Sequence, residues 1–525
     1  MRVVLPILFT AIVAASGSPV RAEPAPRPAP TSQLVDGQRL HFALGQTGIL
    51  ALPGEIDLMF QHVDAIPIER VDDRGGTLAG DDAAYARLRL SPTLTLLDPG
   101  MAFFKVWRLA AELDVLRDWF LVGADREVLA ADPRGRSDTG VIGQRLSQIY
   151  LSAGGEHMGF QLGLVRSRWG LGLVSNAGDD PRMQTSESPF GESFQGDHVV
   201  RVGVSAFPLG KGLSRPPLTA SLAFDGVIDD DTARWSDGDR AYQFVAAVLG
   251  QTESLSLGIY TAFRSQAHFQ GGVTEVAVLD ATGRLRLANE DTLKVFIEAE
   301  LATIRGRTSL PQSVVDEGSF SVDQNAALFR FSVETGPFIG VLEVGSASGD
   351  TNPFDDEQRG FTMDRDHRVG LLMFREAMLA GNAVSADNIA DDDYRGEPPR
   401  GSERLATAGA VRGAMYANPR MSFRIVDELF AYAGFLFASA DGQYVDAFWS
   451  GLAGGAPRGP RNGASATDLG WEVDAGVSWR FPVDWYQWRL RLEAAWYSPG
   501  AVFNDEAGRA APDVGGVWLH AGLLW

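Results

Sequence analysis

Apolar and polar residues alternate with a period of two along much of this chain, most clearly near its C-terminal end. From Asp468 to Arg480, Leu469, Trp471, Val473, Ala475, Val477 and Trp479 alternate with Asp468, Gly470, Glu472, Asp474, Gly476, Ser478 and Arg480. Such a run, with aromatics near both ends of its apolar face, predicts a strand that spans an apolar layer. After a short connection at 481–486 the pattern returns. Trp488, Leu490, Leu492, Ala494 and Trp496 face one way, and Arg489, Arg491 and Glu493 face the other. The terminal segment Val517–Trp525 puts Val517, Leu519, Ala521, Leu523 and Trp525 on one face and Trp518, His520, Gly522 and Leu524 on the other. An edge strand this apolar is an aggregation hazard in a soluble protein. In an outer-membrane barrel it is an ordinary closing strand.

The same signature recurs upstream. Ala86, Leu88 and Leu90 oppose Arg87, Arg89 and Ser91. Leu293, Val295, Ile297, Ala299 and Leu301 oppose Lys294, Glu298 and Glu300; Phe329, Phe331 and Val333 oppose Arg330, Ser332 and Glu334. Weaker strands are expected near residues 54–62, 103–115, 145–153, 158–168, 198–207, 217–225, 240–250, 254–265, 338–347, 367–375, 408–416 and 421–438. With the terminal strand these make about eighteen, within a range of about sixteen to twenty, and bacterial single-chain barrels have even numbers. The predicted fold is therefore all-β: one closed antiparallel transmembrane β-barrel with short periplasmic turns and long extracellular loops. The predicted organisation is a signal peptide at 1–22, a leader at 23–53 that is Pro/Ala-rich at its start, and the barrel at 54–525.

Loop lengths test the count. Counting back from Trp525, placed in the periplasm, puts the short connections 482–486, 418–420, 251–253, 208–216, 154–157 and 97–102 on that side. The longer ones at 499–513, 439–466, 381–407, 266–292, 226–239, 169–197 and 116–144 fall outside. Residues 305–366 break the rule. There the tight Thr335-Gly336-Pro337 turn would face outside, and 305–324 and 348–366 would face the periplasm.

Composition sharpens the compartment. Met1-Arg2, an apolar Val3–Ala15 and the small residues around Val20-Arg21-Ala22 read as a secretory signal peptide. Its removal takes two arginines and no acid, moving the formal net charge further negative from −21. No later apolar run approaches the roughly 18 residues of a spanning helix, so only a closed barrel would satisfy the backbone in lipid. The chain has no cysteine, which excludes disulfides, zinc–thiolate sites and cysteine nucleophiles. Its acidity argues against a nucleic-acid partner, because phosphate binding needs Lys/Arg surfaces.

Enzyme motifs are lacking. The seven histidines are scattered, with no His-Glu-x-x-His, no Gly-x-Ser-x-Gly elbow and no phosphate loop. No catalytic residue, metal ligand or cofactor is expected. Asp229–Asp231, Asp391–Asp393 and Asp355-Asp356-Glu357 read as loop charge without an ordered calcium-ligand spacing. The inward charges carry the chemical content. Arg87, Arg89, Lys294, Glu298, Glu300, Arg330, Glu334, Glu472, Asp474, Arg489, Arg491 and Glu493 are too costly to face lipid and are the expected pore-lining set. They would stiffen the wall by pairing, select solutes by charge, or both.

Three segments carry a resemblance. Tyr85–Pro92 is followed by Ala111–Leu116; Gly163–Asn176 reads Gly-Leu-Val-Arg-Ser-Arg-Trp-Gly-Leu-Gly-Leu-Val-Ser-Asn; Gly345–Asp350 is followed by Met363–Asp366 and Gly370–Glu376. In this order they resemble an uncharacterised family of outer-membrane barrels of myxobacteria and relatives, and more distantly are similar to porins of the alginate-export kind. The terminal aromatic also resembles the assembly signal of such proteins. The resemblance implies a barrel in the Gram-negative outer membrane, in contact with lipid and lipopolysaccharide and inserted by the barrel-assembly machinery through its last strand. It names no substrate. The alginate-export kind has an arginine-rich lumen; here arginines are mixed with Glu298, Glu300, Glu472 and Asp474. The expected function is passive or weakly selective transport of small hydrophilic solutes. The alternatives are a surface scaffold or adhesion barrel with a plugged lumen, and an outer-membrane enzyme acting on lipid. Trp169, with Gly170 and Gly172, is expected at the membrane interface, anchoring a strand end.

Overall fold

The computed structural model describes residues 41–45, 47–68, 81–100, 103–122, 146–178, 196–210, 216–269, 271–290, 292–310, 318–352, 355–390, 407, 409–483 and 486–525. The expected signal peptide, most of the leader and Asp391–Asp393 lie outside them.

Eighteen strands, β1–β18, form the wall. The first nine are Gly54–Val63, Asp81–Leu90, Val106–Val122, Leu146–Gly154, Met158–Ser167, Asp197–Ala206, Leu218–Asp229, Arg240–Gln251 and Leu255–Ala267. The remaining nine are Val273–Glu290, Leu293–Thr308, Phe320–Thr335, Phe338–Ala347, Ala414–Val426, Leu429–Ala440, Asp468–Val483, Tyr486–Pro499 and Val514–Leu524. Each pairs antiparallel with the next, and β18 returns to β1 with Leu519 opposite Phe60 and Leu523 opposite Ile56. Gly54 and Trp525 exchange backbone hydrogen bonds of 3.0 Å in both directions. The closing position requires a glycine, because a Cβ on Gly54 would sit 2.3 Å from the Trp525 indole. Closure removes every sheet edge from the apolar layer.

The pleat sorts the side chains as the alternation predicts. Outward residues form an apolar belt, with Phe263 and Leu301 each 59% exposed. Their neighbours on the other face, such as Glu300 and Asp474, are fully buried. At the end that carries the C-terminus, prolines interrupt two strands at the same level. Leu52-Pro53 precedes β1 and Ser91-Pro92 follows β2. Beyond these breaks Thr93–Leu97 pairs with Gly48–Ala51, which pairs with His41–Leu44. A proline cannot donate to the ladder, so the wall ends there and a short extension begins.

Two strand assignments are corrected, and together they explain the anomaly at 305–366. Residues 273–290, expected to be loop, form β10, the longest strand in the barrel. Residues 367–375, expected to be a strand, run into a wide helical turn, Met373–Met378, followed by helix α1, Leu379–Ala390. One missed strand and one false strand leave the total at eighteen but invert every connection between them. The Gly336-Pro337 turn therefore lies on the short-turn side, and β11 at Thr308 and β13 at Ala347 end on the long-loop side. A smaller correction moves the turn placed at 418–420 to 427–428, between β14 and β15.

Residues 361–389, in the connection between β13 and β14, fold into the barrel. Phe361, Met363, Val369, Leu371, Leu372, Met373 and Phe374 are all buried and pack with Leu171, Leu173, Tyr416, Leu436 and Trp518. A second inserted helix, α2 (Ala447–Leu452), is capped by Asp446, whose carboxylate accepts from the Phe448 and Trp449 amides at 3.1 and 3.0 Å. The Ser385 hydroxyl of α1 donates to the same carboxylate at 3.2 Å, joining the two helices.

Candidate functional site

The charged residues singled out from sequence all lie on the inner face of the wall. Most are bonded to one another or to inserted loops. Arg87 pairs with Asp57 at 2.6 Å and Glu55 at 2.8 Å. Arg89 pairs with Asp114 at 2.6 Å and Glu112 at 3.2 Å, and Glu112 also holds Arg166 at 2.9 Å. Arg330 bridges Glu343 at 2.7 Å and Glu298 at 3.6 Å. Glu343 further takes Arg420 at 3.1 Å and the Tyr416 hydroxyl at 2.9 Å. Glu493 joins Arg491 at 3.4 Å, His520 at 3.3 Å and the Tyr432 hydroxyl at 3.1 Å. Lys294 and Glu334 pair at 2.9 Å toward the short-turn end, with side chains 40% and 31% exposed. Arg489 lies opposite Arg480 in that same half of the lumen. Asp57, Glu55, Asp114, Glu112, Glu343 and Arg420 complete these networks. They alternate with apolar neighbours as the named set does, Glu55 and Asp57 with Ile56 and Leu58, and Glu112 and Asp114 with Leu113 and Val115, so the same period-two signal could have found them.

Glu300 and Glu472 have a different role, since both receive backbone amides of inserted loops. Leu371 and Leu372 donate to one oxygen of Glu472 at 2.6 and 2.8 Å, and Met373 donates to the other at 2.7 Å. Leu171 and Leu173 donate to Glu300, the latter at 3.1 Å. Each segment enters through a glycine in the left-handed region, Gly370 at φ 71° and Gly170 at φ 54°. That conformation turns successive N–H groups toward one point, an anion-binding nest, and hydrogen bonds to an ionised carboxylate are the stronger kind. The two seats share one design: a left-handed glycine, backbone amides just after it and a wall glutamate. An aspartate accompanies each. Asp280 accepts from the Trp169 indole at 2.9 Å. Asp474 is fully buried beside Glu472, its oxygens without hydrogen-bond partners among the described residues. Trp169 thus points into the lumen against Tyr260, with ring centroids 5.4 Å apart, rather than anchoring at the lipid interface.

The loop aspartates at 229–231 each take a separate arginine: Arg234 at 3.3 Å, Arg264 at 2.5 Å and Arg365 at 3.0 Å. Burial pushes the Asp231 carboxyl up to about 6 against the pull of Arg365. It pushes Asp364, which also faces Asp197 and Asp231, well above the usual carboxylate range. Among the described residues no group of three or more His, Asp or Glu side chains is arranged to hold a metal ion.

Above the Glu300 seat, between the loop and the wall strands β6–β12, lies a cavity of about 260 Å³. Tyr260, Val278, Ile304, Val322 and Phe361 form apolar parts of its lining, and the rest is polar, with charged groups that include Asp197, Asp231, Asp364 and Arg264.

No protein-family model matches the chain, and no curated protein matches it. Among solved structures it is similar to Pseudomonas aeruginosa OpdQ, at 9% identity and a TM-score of 0.49, covering 91% of this chain and 98% of that one. It is also similar to P. aeruginosa OccK10 (OpdN), at 11% identity and a TM-score of 0.45, covering 90% and 98%. For P. aeruginosa OpdL the values are 10%, 0.44, 91% and 98%. These similarities concern overall architecture.

Proposed function

We propose that this protein is an outer-membrane channel for small hydrophilic solutes, narrowed by the inserted residues 361–389. The observation that carries the reading is the wall itself: eighteen closed strands, apolar outside and charged inside. Barrels of 16–18 strands enclose an aqueous channel. In this reading Trp525 and the short turns face the periplasm of a Gram-negative cell and the long loops face outward among lipopolysaccharide. The signal peptide at 1–22 exports the chain, and the terminal strand engages the assembly machinery. Arg87, Arg89, Lys294, Glu298, Glu300, Arg330, Glu334, Glu472, Asp474, Arg489, Arg491 and Glu493 line or support the path. Transport needs no catalytic residue and no cofactor. Kinship with the uncharacterised myxobacterial barrels belongs to the same proposal.

A second reading, a scaffold or adhesion barrel with a sealed lumen, is favoured by one observation: the buried apolar core that the loop makes with the wall around Phe361, Leu372 and Phe374. Purified protein in a planar bilayer under a salt gradient separates the two. The channel reading expects stepwise conductance, with a reversal potential on the cation-selective side given the net charge of −21. A silent bilayer with demonstrably inserted protein favours the scaffold, and anion preference overturns the selectivity.

A further inference from the structure

The cavity above the Glu300 seat has polar groups with no assigned task. The Tyr260 and Ser175 side chains are more than nine-tenths buried and line the cavity. Neither side chain makes a hydrogen bond among the described residues, and both hydroxyls open onto the cavity, where an occupant can bond them. The Thr362 hydroxyl and the Gln324 amide line the same space, also without a side-chain partner. The Thr407 hydroxyl on the lining is enclosed, with no partner among the described residues. These groups are all neutral, and each can donate.

The charged groups of the lining are largely engaged. Arg264 grips Asp230 with two nitrogens, at 2.5 and 3.2 Å, and reaches Gln266 at 2.7 Å. Asp231 holds Arg365. Asp364 accepts the Asp366 amide at 2.8 Å, and Asp197 accepts the Asn176 amide at 3.3 Å. Arg412, between the cavity and the α1 helix, is bonded as well. An anionic ligand would face Asp197, Asp231 and Asp364 and find Arg264 already paired, whereas a neutral one would meet open hydroxyls and an amide. Opposite them, Val278, Ile304, Val322 and Phe361 offer an apolar face. Volume limits the occupant, because about 260 Å³ lies just under the range of roughly 300–1,000 Å³ typical of ligand pockets.

We infer that this cavity binds a single neutral polyhydroxylated ring, a monosaccharide-sized solute, held by hydroxyls on Tyr260, Ser175 and Thr362 and the Gln324 amide, with its C–H face on Val278, Ile304 and Phe361. The inference rests on the channel reading and supplies its solute class. Trp169 packs against Tyr260 with its ring tilted by 31°, so its fluorescence reports occupancy without any need for transport.

The test uses the full-length protein in detergent and three probes on one carbon skeleton: glucose, glucosamine and gluconate. Glucose is expected to change the tryptophan emission saturably, with the other two at least tenfold weaker. Tyr260→Phe and Gln324→Leu, which leave the barrel wall intact, are each expected to weaken glucose about tenfold, the loss of one hydrogen bond at a desolvated site. Tighter glucosamine or gluconate, no response to any probe, or unchanged affinity in both variants overturns the inference. Bilayer recordings keep the two readings apart. Conductance that glucose does not block, with no binding, leaves the channel and removes the site. Binding without conductance leaves the site and removes the channel.

Discussion

The seat at Glu472 makes the sharpest prediction. Replacing Glu472 by alanine removes three hydrogen bonds from the amides of Leu371, Leu372 and Met373 to a buried carboxylate. Bonds to charged groups contribute about 1.5–3 kcal/mol each, but water entering the vacated space returns part of this, so a net loss of about 3–6 kcal/mol is reasonable. The apolar side chains of the same segment oppose release. Val369, Leu371, Leu372, Met373 and Phe374 are all buried, and at about 1.5–3 kcal/mol each they hold the loop with roughly 7–15 kcal/mol. The apolar hold exceeds the loss, so the loop stays seated most of the time. What changes is how often it leaves, by about 10²–10⁴-fold, since about 1.4 kcal/mol is a factor of ten. Glu472→Gln keeps an oxygen for Leu371 and Leu372 and turns a donor toward the Met373 amide, so its effect lies between. Single-channel recordings should show brief high-conductance events, rare in the parent protein, more frequent in Glu472→Gln and most frequent in Glu472→Ala. Limited proteolysis within 359–390 should accelerate in the same order, because cleavage through an opened state follows that state's population. If Glu472→Ala matches the parent in both assays, or if the order inverts, the seat does not hold the loop.

Four further outcomes are expected. Gly370→Ala should loosen the same loop, because it puts a Cβ into the left-handed region 2.8 Å from the Glu472 carboxylate; proteolysis faster than in the parent checks it. Glu343→Ala should lower barrel stability by about 3–5 kcal/mol, since it leaves buried Arg330 and Arg420 without their shared partner; urea unfolding in lipid reads this, and Glu343→Gln should recover part of it. Leu301→Arg, on the lipid face, should cost about 2–4 kcal/mol near the bilayer midplane and reduce assembly, whereas Thr303→Val on that face should not. The last concerns pH. Burial pushes the Asp446 carboxyl up to about 7, so the folded loop binds that proton more tightly than the unfolded chain, and the stabilisation, fully present below about pH 4, is lost as pH rises through 7. Hydrogen exchange of the α2 amides should quicken from pH 6 to 8, after correction for intrinsic rates, and Asp446→Asn, which still caps a helix, should abolish the quickening.

The barrel was legible because lipid on one side imposes period two. A residue such as Leu301 has no alternative to being apolar, and Glu300 none to facing inward. The reading failed where that constraint is relaxed. In β10, Val276 and Val278 point inward, but they line the cavity and pack apolar groups, so Val276–Leu279 is apolar on both faces and shows no alternation. The polar inward residues Asp280 and Arg284 appear only lower down. In 367–375 the opposite occurs. Val369 to Phe374 is a continuous apolar run at strand length, buried on all sides by wall and loop. A short apolar run does not reveal whether lipid or protein surrounds it.

The seats lie beyond sequence reading for a different reason. Gly-Leu-Gly-Leu at 170–173 and Gly-Leu-Leu-Met at 370–373 are visible as glycine-marked bends, but each needs a wall carboxylate more than ninety positions away, and period two offers many candidates. The structure selects Glu300 on β11 and Glu472 on β16, five strands apart. Apolar packing is non-directional, so Leu371 and Leu372 could exchange places on the wall at little cost. Three amides converging on one carboxylate cannot slip by a residue without losing bonds. The glutamates therefore fix the register of the loop, while the apolar side chains supply most of its hold. Loss of either seat should consequently leave the wall closed through Gly54 and Trp525 and blur the position of the plug inside it.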